Sequence, residues 1–462
     1  MFRTLGLSGA WVLISCMPKP RVAIRAPDFA TWPDSTGIRT MSQHVSDQAT
    51  SADISVDTYA AWGAAPSERY ETLARDWRGL FARIRASAVE RDIDHRLPHE
   101  EIKWLREAGF TRLRLPREQG GVGATLPELF GLLIELGAAD TNVVNAVRAH
   151  LGFVEDVLTA HEVQWQAHWL GKLASGDLIG AGLSEAGSAK VGTFDTHLTR
   201  APQGIRLNGR KFYTTGSLFA DWVAVAAQDG DETVYLQVPR AARGVEVLDD
   251  WDGFGQALTA SGTATFTDVA VEPEWIRPTS TRFPYAVPFY QLVHLASLAG
   301  IGRALADDVA RRVRQRDRVY SNGNAARVAD DPQILQVVGR LHSAAYGARA
   351  VALQAAKAIE RSYVAHQDPT AGEARRHEAH TEAHVEVDQA VPVITRLVLD
   401  ASTDLFDALG ASATLRTEGL DRYWRNARTI SSHNPRIYRE RQVGAFAVNG
   451  TVPPSFYRVG KG

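Results

Sequence analysis

Four stretches after Pro288, over 288–320, 332–366, 377–409 and 418–431, repeat their apolar residues with the period of an α-helix. Only short connections separate them, so this part of the chain is expected to fold as a four-helix bundle. Between Ala344 and Ile359 the apolar residues cover more than one face. A helix of that kind needs partners on two sides, which points to oligomerisation through the bundle.

Upstream the pattern is different. Leu178 to Leu183 is a short apolar run and Thr193 to Arg200 alternates. Closely spaced strands follow near 211–214, 222–228, 232–238, 245–247 and 262–271, with Leu207-Asn208-Gly209-Arg210 reading as a two-residue hairpin turn. Before them the helical period returns over 69–92, from Leu97-Pro98 to Gly109, and over 127–138, 141–159 and 162–174. The fold class expected is therefore α+β. An N-terminal helical domain spans 61–175, a middle antiparallel β domain 176–284, and the helical bundle 285–462. Residues 1–60 are expected to be a disordered or mis-started extension. The apolar run from Leu5 to Met17 is too short to span a bilayer, and Leu13-Ile14-Ser15-Cys16, which resembles a lipoprotein cleavage box, is outweighed by the absence of any other sign of export.

Composition excludes several partners. The chain of 462 residues carries a net charge of −2, which gives no field to attract nucleic acid or an anionic membrane. Cys16 is the one cysteine, so neither an internal disulfide nor a cysteine-based metal site can form. His377, His380 and His384 share a helical face with Glu378, Glu382 and Glu386. Their spacing departs from the zinc-protease pattern because Thr381 stands where the second histidine belongs. A solvated charged face is the expectation, and no metal is expected. Leu113 to Gly123 is glycine-rich but lacks a preceding strand and a following Lys-Ser/Thr, so it reads as a turn between helices rather than a phosphate loop.

Three small-residue or aromatic loops stand out on the β segment: Leu183-Ser184-Glu185-Ala186-Gly187-Ser188, Lys211-Phe212-Tyr213-Thr214-Thr215-Gly216-Ser217, and Asp250-Trp251-Asp252-Gly253-Phe254-Gly255. Free backbone amides and flat aromatic rings on one domain suit a planar cofactor with carbonyl oxygens. In the last helix the pattern stops at Arg425-Asn426-Ala427-Arg428-Thr429-Ile430-Ser431-Ser432-His433-Asn434-Pro435, placing an imidazole at a helix end.

The order helical block, β domain, helical block resembles the acyl-CoA dehydrogenase fold over about residues 65–455. Ser184 and its neighbours resemble that family's flavin loop, and Asn208 to Thr215 its Asn-Gly-x-Lys-x-Trp-Ile-Thr strand. The dehydrogenase glutamate is missing, however. Its position in the family's Tyr-Glu-Gly sequence is Asn434, and its other position falls near Tyr290 and Gln291. Neither an amide nor an ordinary phenol accepts a proton near neutral pH. Tyr423-Trp424-Arg425-Asn426-Ala427-Arg428-Thr429 with His433-Asn434-Pro435 resembles instead the flavin-dependent monooxygenases of this fold (group D), of the dibenzothiophene monooxygenase type. Asp249-Asp250-Trp251, Thr259 to Thr263 and Val448-Asn449-Gly450 match as well.

This resemblance implies a cytoplasmic homotetramer that takes reduced FMN from a separate NAD(P)H:flavin reductase. It would form a C4a-hydroperoxyflavin with O2 and oxygenate a small organosulfur or aromatic substrate. It further implies His433 and Thr215 as the catalytic pair, His433 serving because its charge is adjustable near neutral pH. Ser184, Tyr213, Thr214, Thr215, Trp251 and Ser261 would border the flavin, and Arg318 would reach its phosphate from a neighbouring subunit. Asn145, His150 and Asn434 would line the substrate end, where Ala149 and Asn145 stand in place of a tyrosine and a histidine of the look-alike; on its flavin loop Ala181 stands in place of an asparagine. Two alternatives stay open: an FAD-dependent acyl-CoA dehydrogenase with a displaced base, and a non-catalytic binding protein on the flavin fold.

Overall fold

The computed structural model describes residues 62–187 and 192–454. Cys16, the leader-like segment, the whole 1–60 extension and Ser188 lie outside the described residues. Seven helices come first: α1 (Tyr70–Ala86), α2 (Ala88–Asp94), α3 (His99–Glu107), α4 (Leu126–Ala139), α5 (Thr141–Ala146), α6 (Arg148–Leu158) and α7 (Val163–Ala174). Eight strands follow: β1 (Ile179–Gly182), β2 (His197–Ala201), β3 (Gly204–Phe212), β4 (Trp222–Asp229), β5 (Glu232–Pro239), β6 (Val245–Val247), β7 (Thr263–Val271) and β8 (Arg277–Pro278). The chain then returns to helices α8 (Ala286–Gln315), α9 (Pro332–Gln367), α10 (Glu373–Leu409), α11 (Asp421–Ser432) and α12 (Ile437–Asn449).

Helix α4 begins where Thr125 and Glu128 form a reciprocal capping box, and nearly all of it is buried. It crosses α8 so closely that a Cβ on Gly300 would stand 2.5 Å from the carbonyl carbon of Gly137. That contact sets the depth at which the first turns of α8, with Tyr290, Gln291 and His294, lie beside α5 and α6. The start of α5 is fixed by Asp140, which caps Asn142 N–H at 2.9 Å and pairs with the buried Arg91 at 2.8 Å. Arg91 also holds Glu101 at 2.7 Å, so the three termini of α2, α3 and α5 share one buried ion cluster.

The sheet runs β6-β7-β3-β2-β4-β5-β8, with β1 also on β4. It is mixed, not purely antiparallel as expected, because β1 and β2 both pair with β4 in parallel. Asn208-Gly209 is not a turn either. It lies inside β3 as a bulge against β7, where Asn208 Oδ1 accepts the Asp268 N–H at 2.8 Å. The β2–β3 hairpin turns instead at Pro202-Gln203. Polar local chemistry that would close a hairpin is here spent on holding a neighbouring strand.

Other boundaries moved for local reasons. The 141–159 helix breaks at Val147, the 69–92 helix at Ser87, and α8 ends at Gln315, leaving Arg318 in an exposed segment beyond it. The fourth bundle helix, α11, is short, and α12 follows it. His377 is exposed, but His380 lies 2.6 Å from Ser362 of α9 and His384 is buried. The expected solvated face is therefore partly packed against its neighbours.

Candidate active site

The loop after β1 is clasped onto β3. Phe212 N–H donates to the Ser184 carbonyl at 3.0 Å. Buried Lys211 reaches Glu185 at 2.6 Å, and Glu185 also accepts Asp195 N–H at 2.8 Å and Thr196 N–H at 3.0 Å. Burial pushes the Lys211 ammonium down to about 8, against the pull of Glu185. Glu185 itself is held below the usual carboxylate range by those donors, which outweigh the opposing effect of burial.

Tyr213 follows β3 with φ +62°, a left-handed conformation costly for an aromatic residue. The turn leaves its ring half-exposed, grouped with Phe212 and Trp251 at centroid distances of 4.7 and 5.9 Å. Trp251 Nε1 is buried without a hydrogen-bond partner. Thr214 turns inward, its hydroxyl donating to the Gly262 carbonyl at 2.9 Å. Next comes Gly216, φ +81°, where a Cβ would stand 2.0 Å from the Ala146 carbonyl oxygen. Only glycine lets this segment pass so close to the end of α5.

A chain of hydroxyls runs inward from Thr215. Its Oγ1 lies 2.7 Å from Ser261 Oγ, which lies 2.7 Å from Thr259 Oγ1, which donates to the Gln256 carbonyl at 2.8 Å. Each hydroxyl has one proton, and a carbonyl can only accept. Thr259 therefore spends its proton on Gln256, Ser261 spends its own on Thr259, and Thr215 spends its own on Ser261. What Thr215 offers outward is a lone pair.

A second polar cluster comes from α6, α8 and the end of α11. Arg148 donates to His433 Nε2 at 3.1 Å. A guanidinium has no acceptor atom, so Nε2 is bare and the proton of the neutral ring sits on Nδ1. Crowding by protein atoms and the Arg148 charge both hold the imidazole below its ordinary range, against a side-chain hydrogen bond with Asn434. His433 stands on an exposed rim, where water moderates the effect without reversing it. The expectation of a charge adjustable near neutrality is thereby corrected: the ring is neutral there. His294 lies 4.3 Å away between ring centroids, buried, with neither ring nitrogen bonded. Burial first, then Arg148 and His433, push its imidazole well down. Asn434 Nδ2 donates to Gln291 Oε1 at 3.0 Å.

Beside this cluster a shallow recess opens between α6 and the sheet, lined by Ala149, Phe153, Ala181 and Tyr290 together with the charged Asp156 and Arg282. Not every expected residue reaches the site. His150 is buried elsewhere, its Nε2 2.9 Å from the Thr111 carbonyl; Ala149 lines the recess in its place. Asn145 is a cross-brace, donating to Gln256 Oε1 at 2.7 Å and to the Thr141 carbonyl at 3.0 Å. Arg318 stands far off. From His294 to the end of α8 is about 30 Å at the helical rise, so its own chain does not bring it to His433.

Arg148, His294, Gln256 and Thr259 were missed. Arg148 alone carried a signal, as the one charge in Val143 to Leu151 apart from a histidine. The Trp424-Arg425-Asn426 stretch proves architectural. Asn426 Oδ1 accepts Gln256 N–H at 2.6 Å, Arg425 donates to the Phe254 carbonyl at 3.1 Å, and Trp424 stacks on Phe254. These bonds hold the 250–256 loop over the site.

The family models for the acyl-CoA dehydrogenase N-terminal and C-terminal domains match residues 67–177 and 292–435, together more than half of the chain. The chain belongs to the acyl-CoA dehydrogenase family. Within it the similarity runs to monooxygenases. The dibenzothiophene monooxygenase of Rhodococcus erythropolis is 28% identical over 397 residues, 82% of this chain and 94% of that protein. A probable FMNH2-dependent monooxygenase of Pseudomonas putida is 28% identical over 396 residues, covering 83% and 96%. Among solved structures, FMN-bound TdsC from a Paenibacillus species superposes with a TM-score of 0.73 at 27% identity, covering 83% of this chain and 98% of that one. Among the described residues no helix is long and apolar enough to cross a membrane.

Proposed function

We propose that this protein is a two-component monooxygenase that uses reduced FMN and O2 to place one oxygen atom on a small organosulfur or aromatic substrate. The observation that carries the reading against a dehydrogenase is the Asn434–Gln291 amide pair. It occupies both places where the family's glutamate base would stand, and the third neighbour, Tyr290, has its phenol pushed up by burial. Neither the two amides nor that phenol takes a proton from carbon near neutral pH.

Flavin supplies two electrons and two protons: one oxygen atom of O2 goes to the substrate, the other leaves as water, and oxidised FMN remains. The residues fit such a group. The Tyr213–Trp251 aromatic corner offers a flat surface, and the partnerless Trp251 Nε1 a donor for a carbonyl oxygen. Ser184, Thr214 and Ser261 shape the adjoining edge. Thr215, able only to accept, suits the N–H that a flavin carries at N5 when reduced and lacks when oxidised. His433 presents Nδ1–H as a neutral donor while Arg148 fixes its tautomer. In a homotetramer Arg318 reaches the flavin phosphate of a neighbouring subunit. A separate NAD(P)H:flavin reductase supplies the reduced cofactor, and the protein works in the cytoplasm.

Anaerobic titration tests the reading: reduced FMN should bind more tightly than oxidised FMN or FAD, and labelled O2 should leave one label in product and one in water. Replacing His433 with Ala should abolish oxygenation while reduced-FMN affinity changes little; full product formation by that variant would remove His433 from the mechanism. Retention of FAD through purification, with bleaching by an acyl-CoA, would establish the dehydrogenase alternative instead.

A further inference from the structure

The floor of the recess beside α6 is a row of register partners on three strands. Ala181 of β1 faces Ala224 of β4, which faces Gln237 of β5. Partners in such a row point to the same face of a sheet. Two methyl side chains leave the floor low, and the Gln237 amide stands at its end; all three residues line the recess. The charges around it cancel. Arg282 is paired with Asp156 at 2.9 Å and Arg277 with Glu162 at 2.7 Å. Each guanidinium has its carboxylate, so the recess offers a ligand no surplus charge.

What remains on these walls is uncompensated in a different way. Gln237 Oε1, Arg277 Nε and Trp165 Nε1 are buried without a hydrogen-bond partner, and all three residues line the recess. Gln237 is 5% exposed and Arg277 8%. Buried polar groups are ordinarily bonded, so three orphans around one space call for a group that fills it. Their chemistry is complementary to one kind of group. The amide oxygen of Gln237 only accepts, whereas the guanidinium and indole N–H groups only donate. The two donors stand together, since the Arg277 guanidinium lies 3.9 Å over the Trp165 ring. The acceptor comes from β5, two residues beyond Tyr235, the register partner of Arg277. A group with separate donor and acceptor atoms spans that arrangement better than a single oxygen does.

We propose that this recess is a specificity subsite of the substrate pocket and that it takes a primary amide carried on the substrate away from the oxygenated atom. The amide carbonyl accepts from Arg277 and Trp165, and the amide N–H donates to Gln237. A carboxylate would set an anion against the Gln237 oxygen, and a hydrocarbon would leave all three atoms unbonded. The recess joins the candidate site at both ends: Leu183, on its wall, precedes Ser184, and Tyr290, also on its wall, lies 5.4 Å from the Arg148 guanidinium. That the amide belongs to the substrate rests on the monooxygenase reading; its recognition does not.

Benzamide, acetophenone and benzoate are the probes, alike in shape and differing in the N–H and the charge. Their dissociation constants are measured by ligand-observed NMR on the whole protein without flavin. Benzamide should bind about fivefold more tightly than acetophenone, the worth of one hydrogen bond, and more tightly than benzoate. Gln237→Leu should bring benzamide and acetophenone within about twofold of each other. Trp165→Phe, which removes a donor to the carbonyl that both share, should weaken the two alike by about fivefold and leave their ratio unchanged. Gln237→Met is the substitute if leucine disturbs β5, and circular dichroism checks each variant. Acetophenone or benzoate binding as tightly as benzamide overturns the proposal, as does a ratio unchanged in a folded Gln237 variant. So does binding of none of the three, which would leave the recess to water only. Failure of the protein to bind reduced FMN would remove the monooxygenase reading and leave this comparison standing.

Discussion

Thr259 is the residue whose replacement tests the polarity of the hydroxyl chain. It is 1% exposed, and its proton is committed to the Gln256 carbonyl. In Thr259→Val the shape is kept and that commitment disappears. Ser261 is then free to turn its proton onto Thr215, and Thr215 to turn its own outward. The bias that makes Thr215 an acceptor is worth one neutral hydrogen bond, about 0.5–1.5 kcal/mol. The ratio of the dissociation constants for oxidised and reduced FMN should therefore fall by roughly 2- to 12-fold. Anaerobic titrations with both redox forms give that ratio directly. The unfolding free energy from denaturant titration should drop by about 1 kcal/mol for the lost bond, which separates the effect from unfolding. A ratio unchanged within error, in a variant that keeps its circular dichroism, would refute the fixed polarity. Ser261→Ala supplies the control: it cuts the chain next to Thr215, and should shift the ratio at least as far.

Two further outcomes follow from buried charge. His150, held down to about 4 by burial, and His294, held well down, stay neutral in the folded chain while the unfolded chain protonates them below about 6.5. The unfolded state then binds more protons, so stability should fall as pH drops from 7.5 to 5.5, by roughly 1 kcal/mol for each such histidine; urea midpoints at the two pH values measure it, and a flat profile would contradict neutral burial. Lys211→Met leaves the Glu185 carboxylate buried with two backbone donors only. It should cost about 3 kcal/mol, the lower end for a broken buried pair, and the double variant with Glu185→Gln should recover part of the loss in the same assay.

The helices were legible because each carries a face that must be buried, and the period of that face survives in the sequence. Their breaks were not. Val143-Val144-Asn145-Ala146-Val147 contains no glycine or proline, and the interruption at Val147 comes where the Ala146 carbonyl meets Gly216, seventy residues further on in roughly counted distance. Asn208-Gly209 misled for the converse reason: a dipeptide with strong turn chemistry has been recruited to a bulge by a strand that forms later in the chain. The grouping of Tyr213, Thr215 and Ser261 on neighbouring loops was largely readable, since they stand in short stretches whose backbone sets their direction. His150 failed as a site residue because adjacent positions on a helix face different ways, and it is Ala149 that looks into the recess.

Arg148 shows why the substrate side resists reading. A lone arginine in an apolar helix is ordinarily a residue that reaches water with its head group. Whether it does so here depends on what stands around it, and those neighbours, Tyr290, His294 and His433, come from α8 and from the end of α11. None of them is acidic. The same fold with a carboxylate at residue 434 would place a negative charge beside His433, raise its imidazole towards protonation and give Arg148 a partner. With Asn434 there, the ring stays neutral and the guanidinium stays unpaired. One amide in place of one acid thus bears on two properties together: the protonation state of His433 and the absence of an acidic partner for Arg148.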